Sequence, residues 1–84
     1  MNMFKNKAKD GRNNLCGKRI GQLREAMGLS QRELAERLQI EGLDVDKNAI
    51  QRTEAGKRFV TDVELVHFAR VLNTSVEELL NTPE

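Results

Sequence analysis

From residue 15 onward the apolar side chains recur with a helical period. Ile20, Leu23 and Met27 fall three or four residues apart, and Gly28 follows them as a helix stop. Leu34, Ala35 and Leu38 mark the inward face of a second helix, at about 31–39. Leu65, Phe68, Ala69 and Leu72 mark another at about 62–72, and Val76, Leu79 and Leu80 a last one at about 76–81. Each of these three stretches opens on a Ser or Thr with Glu three residues later: Ser30/Glu33, Thr61/Glu64 and Ser75/Glu78. In such a capping box the hydroxyl accepts from the third residue's N–H while the Glu reaches back to the cap. A further helix is predicted at about 47–55, capped by Asp46 and stopped by Gly56.

That helix is unusual in its faces. Its inward side is small (Ala49, Ile50 and Thr53), and its outward side carries Lys47, Asn48, Gln51 and Arg52. Between it and the second helix, Ile40, Leu43 and Val45 alternate with polar groups around Gly42. An isolated strand there would have nothing to pair with, so the segment reads as a packed loop. The pattern therefore predicts an all-α fold of five short helices without a sheet. Residues 1–14 are polar, rich in Asn and Lys and without apolar period, and read as a flexible basic N-terminal arm. Residues 15–84 read as the one folded domain.

Charge sharpens this division. The chain carries a net +1 over 84 residues, but residues 1–24 hold seven basic side chains against Asp10, a local +6, and the remainder is −5. Such a split fits an arm that meets an anionic partner, and it fits equally a solvated tail. The acidic Glu77, Glu78 and Glu84 lie far along the chain from the basic end. With 38 % apolar residues and no apolar run near the roughly 18 that a membrane helix needs, neither a membrane span nor a secretory signal is expected. One cysteine, Cys16, makes no internal disulfide and no metal cage, and points to the cytoplasm. Cys16 and His67 lack a third orienting group, and no Gly-rich phosphate loop is present. No enzymatic chemistry, cofactor, metal or small-molecule substrate is expected.

Lys47, Asn48, Gln51 and Arg52 are the residue types that read base edges. Arg and Lys donate to guanine acceptors, and Asn and Gln match the donor–acceptor pair of adenine. Their spacing puts them on one helix face, which suits either the DNA major groove or plain solvent. The wider sequence narrows the choice. Gly17-Lys-Arg-Ile20, Gly28-Leu-Ser-Gln-Arg-Glu-Leu-Ala35, Ile50-Gln-Arg-Thr-Glu-Ala-Gly-Lys-Arg58 and Leu72-Asn-Thr-Ser-Val-Glu-Glu-Leu-Leu80 together resemble the phage-repressor-like helix-turn-helix regulators, the XRE or Cro/CI type. The resemblance covers about three quarters of the chain.

It implies a lambda-repressor-like DNA-binding domain over residues 15–84, with its helix-turn-helix at about 30–55 and its recognition helix at 47–54. It implies that Gln31, Lys57 and Arg58 hold backbone phosphates, and that Arg24 and Glu54 form an ion pair between the first and third helices. The partner it implies is double-stranded DNA, as a pseudo-palindromic operator read by a homodimer, with repression as the output. The last helix would supply part of the dimer surface, unless its apolar residues only cover the core. The alternative on the same fold is a protein–protein module, an antitoxin or a mobile-element adaptor, using Ile40, Leu43 and Val45. The chain departs from the family pattern by five extra residues between Ala35 and Ile50, by Thr53 where a larger apolar residue is common, and by Val60-Thr61 in place of a proline. Thr53 in particular is expected to loosen the packing of the third helix.

Overall fold

The computed structural model describes residues 7–81. Residues 1–6 of the expected arm, and Glu84, lie outside the described residues. Five helices follow in order: α1 (Gly17–Ala26), α2 (Gln31–Ile40), α3 (Lys47–Glu54), α4 (Asp62–Val71) and α5 (Val76–Leu80). Among the described residues there is no strand, and the sequence-based boundaries hold to within a residue or two.

The helices start where the capping chemistry places them. Ser30 Oγ accepts from Glu33 N and the Glu33 carboxylate accepts from Ser30 N; Thr61 and Glu64 make the same reciprocal pair. Asp46 accepts from Ala49 N at 2.8 Å and so opens α3. The third expected box is only half made. Ser75 Oγ accepts from Glu78 N, but the Glu78 carboxylate is engaged by Arg19, which ties α5 to α1.

α2 packs on both α3 and α4, α1 packs on α3, and α5 closes against α4. Phe68, Ile20, Leu34, Leu38, Ile50 and Leu79 are fully buried at the centre. Each such side chain contributes roughly 1.5–3 kcal/mol by leaving water. Cys16 is wholly enclosed in this cluster. Met27 and Leu80, which the periodicity places inward, sit at the rim and are substantially exposed, while Leu65 and Val76 only flank the core. The helical period marks a face, and short helices leave its ends in solvent.

The extended connection after α2 is ordered by two anchors. Val45 is buried in the core with Leu43 packed beside it, and Gln39 Nε2 donates to Val45 O at 2.7 Å. Ile40 points the other way and is 87 % exposed. The five additional residues thus form a pinned loop, as the alternation suggested.

α1 approaches α3 through Gly17 and Gly21, one turn apart. A Cβ on Gly17 would stand 2.1 Å from Thr53 O, and one on Gly21 would stand 3.2 Å from Glu54 Oε1. Thr53 is fully buried, its hydroxyl donating to Ala49 O at 2.8 Å. The expected loosening of α3 is therefore not what the packing shows. Gly17→Ala should destabilise the fold by about 3 kcal/mol, the upper part of the overpacking range, because its obstacle is backbone. Gly21→Ala, facing a movable carboxylate, should cost much less. Urea unfolding of the two variants checks this, and equal midpoints would contradict the close approach.

Candidate nucleic-acid interface

α3 has few apolar atoms with which to hold itself. Ile50 and Thr53 are its only buried residues, and Ala49 is half-buried. Its remaining face presents Lys47, Asn48, Gln51 and Arg52, all exposed and side by side at three- and four-residue spacing. All four expected base-reading side chains thus share one solvent-facing surface. A groove between α2 and the start of α3 adjoins it, lined by Arg32, Glu36, Gln39, Asp46, Lys47 and Asn48. Arg32 was not singled out in the sequence, although it directly follows Gln31; its position on the groove makes it a further cation beside Lys47 and Asn48.

The other end of α3 is held by Glu54. Its carboxylate receives Arg24 Nε at 2.7 Å and Arg24 Nη2 at 2.9 Å, a bidentate pair joining α1 to α3. The two side chains are only 13 % and 14 % exposed. Hydrogen bonding to Glu54 raises the Arg24 pKa further above its usual range, so this cation stays charged. Arg24 Nη1 also donates to Leu29 O at 2.8 Å, fixing the turn before α2. Gln31 Nε2 donates to Glu54 Oε1 at 3.2 Å, which draws the first residue of α2 into the same cluster.

The cations after α3 divide. Lys57 is exposed, with its backbone N–H on Arg52 O. Arg58 lies on Glu64, donating from Nη2 at 2.6 Å and from Nη1 at 3.0 Å. Burial of Glu64 opposes its ionisation, but the Arg58 and Thr61 contacts outweigh that and hold its carboxyl below the usual carboxylate range. Arg58 therefore also locks the turn between α3 and α4.

The arm differs from its expected form at its inner end. Arg12, Asn13 and Asn14 are hydrogen-bonded to the end of α3 and the turn after it. Nothing in the hydrophobic pattern marks these contacts, because each runs from a polar side chain to a main-chain carbonyl. Lys18 meets Asp10 at 3.5 Å and Arg19 meets Glu78, so part of the basic N-terminal charge is neutralised within the fold.

Burial pushes the Cys16 thiol up to about 11, so it is not a thiolate nucleophile at neutral pH. His67 is half-buried, with Nδ1 lacking a hydrogen-bond partner among the described residues. Among the described residues no group of His, Cys, Asp and Glu is placed to hold a metal ion, and no helix is long and apolar enough to cross a membrane.

Residues 16–81 match the family described as a helix-turn-helix domain. No curated protein matches the chain. Among solved structures, the chain is similar to the restriction-modification controller protein C.AhdI from Aeromonas hydrophila. The two are 33 % identical over 75 % of this chain and 88 % of that one, with a TM-score of 0.66.

Removing Glu54 leaves Arg24 buried without its partner, a loss of about 3 kcal/mol. In a domain of this size that lowers Tm by on the order of 10–20 °C. Glu54→Ala should therefore melt earlier than the parent in the absence of any DNA, and an unchanged melt would show that the pair does not hold α3.

Proposed function

As a member of the helix-turn-helix domain family, of the phage-repressor-like type, this chain is a DNA-binding transcriptional regulator, and we propose that α3 reads its target sequence. The observation that carries this reading is the exposed face of α3. Lys47, Asn48, Gln51 and Arg52 are all in solvent on a helix whose opposite side is buried. In the major groove, Arg52 and Lys47 meet guanine acceptors, and Asn48 and Gln51 meet adenine.

Gln31, at the head of α2, and Lys57, after α3, hold phosphates on either side and set the register. Arg58 adds a third such contact. Its bonds to Glu64 and Phe59 use three N–H donors of the five a guanidinium offers, leaving two for a phosphate. The hydrogen bond from Gln31 to Glu54 supports its part, because it ties the phosphate-binding residue to the helix that must be aligned.

The protein acts in the cytoplasm as a homodimer on a pseudo-palindromic operator, with half-sites about one helical turn apart. Leu79 belongs to the core, so α5 brings Leu80 and the edge of Val76 to the partner copy. Repression follows from occupying a promoter. The likeness to a restriction-modification controller protein supports a regulatory output.

The test starts from an operator selected out of a random duplex pool at physiological salt. Arg52→Ala should weaken binding to that operator by about 1–3 kcal/mol and relax preference at one base pair in each half-site. A silent Arg52→Ala would remove α3 from base reading.

A further inference from the structure

A helix ends with last-turn carbonyls that have no partner within the helix, and at a buried end each needs a donor from elsewhere. At the end of α3 all of them are met. Gln51 O accepts from Ala55 N at 3.0 Å, while Arg52 O and Thr53 O accept from Lys57 N and Gly56 N. The last two bonds close the Schellman turn that Gly56, at φ 77°, makes possible. The remaining donors come from outside the helix and its turn. Arg12 Nη2 donates to Glu54 O at 2.6 Å, and Asn14 Nδ2 donates both to Thr53 O at 3.1 Å and to Arg58 O at 2.7 Å. Asn13 adds its main-chain N–H to Gly56 O at 2.8 Å and its amide to Lys57 O at 3.0 Å.

The fit extends beyond hydrogen bonds. The Arg12 side chain fills the space above Gly56, where a Cβ would stand 2.6 Å from Arg12 Cζ. A cation set there also opposes the negative end of the α3 dipole. Asn14 is buried and its amide is fully used, since Oδ1 accepts from Gly17 N at 2.9 Å. One side chain therefore begins α1 and holds the end of α3.

We propose that Arg12-Asn13-Asn14 is a strap that fixes the C-terminal end of the recognition helix, and that Arg12 and Asn14 are positioning residues for base reading. This rests on α3 being the helix that reads DNA. It gives Arg12 a different task from that of a basic arm. A phosphate contact raises affinity for every duplex alike, whereas a strap that sets the angle of α3 acts on the distinction between operator and other DNA. Arg52 and the Arg24–Glu54 pair lie within or beside the last turn of α3, so a loosened end moves both.

The experiment compares the full chain with its Arg12→Ala and Arg12→Lys variants. Affinity for the selected operator and for an unrelated duplex is measured across a salt series, and amide hydrogen exchange is measured on the free proteins. The strap predicts that both variants lower the operator-to-unrelated ratio about tenfold, within the span of a single mismatched base pair. It also predicts an unchanged slope of log K against log salt, and faster exchange confined to residues 53–58. A slope lowered by about 0.9 in Arg12→Ala, restored in Arg12→Lys with the ratio intact, identifies a phosphate contact and overturns the proposal. Unchanged exchange at 53–58 overturns it as well. Should Arg12→Ala fail to fold, Arg12→Lys keeps the charge and still decides between the two. A parent chain without preference among duplexes removes the DNA reading itself. Exchange on the free proteins separates that failure from a failure of the strap.

Discussion

The structure depends on one largely enclosed carboxylate. Glu54 stands at the last position of α3, and its two oxygens receive Arg24 from α1 and Gln31 from α2. Three helices therefore meet at a polar point, at the edge of a core that is otherwise aliphatic apart from Cys16 and one Phe. Burying an ion pair does little for net stability, since desolvation offsets much of the attraction. What it supplies is direction. A bidentate Arg–carboxylate pair fixes distance and plane together, which apolar packing of Ile50 alone does not do for a short helix.

Short helices are marginal by themselves, and α3 buries too little apolar surface to be oriented by packing. Its position is set at both ends by polar groups. Asp46 caps the start, the Schellman turn and the Arg12–Asn14 segment close the finish, and Gly17 and Gly21 let α1 come near enough for Arg24 to reach Glu54. Freed of that duty, the other side of the helix carries four long or amide side chains that contribute nothing to the core. Holding a helix by its ends is what makes its face available for recognition.

Much of this was legible in the sequence because it rests on local rules. Helix starts follow from a hydroxyl or carboxylate and its third neighbour, and the inward faces follow from spacing. The Arg24–Glu54 pair came from family resemblance; neither charge pattern nor period marks a contact 30 residues apart. What stayed hidden was of the same long-range kind. Arg12 and Asn14 bond to main-chain carbonyls, which every residue possesses, so no residue type at the far end signals the contact. Thr53 reads as a packing defect by residue type alone, yet it is fully buried with its hydroxyl bonded to Ala49 O. Glu78 fitted the capping pattern, yet Arg19 engages it instead. Arg58 was read as a phosphate ligand from its position alone, and the structure adds Glu64 as the carboxylate that holds it.

The most direct test of the account is a titration of the isotopically labelled protein with a short duplex, followed through its backbone and side-chain amide resonances. The account predicts the largest shifts at Lys47, Asn48, Gln51 and Arg52, with smaller ones at Gln31 and Lys57 and little change on α5. Largest shifts at Val63 and Val66, the exposed apolar residues of α4, with the α3 face unperturbed, would contradict it.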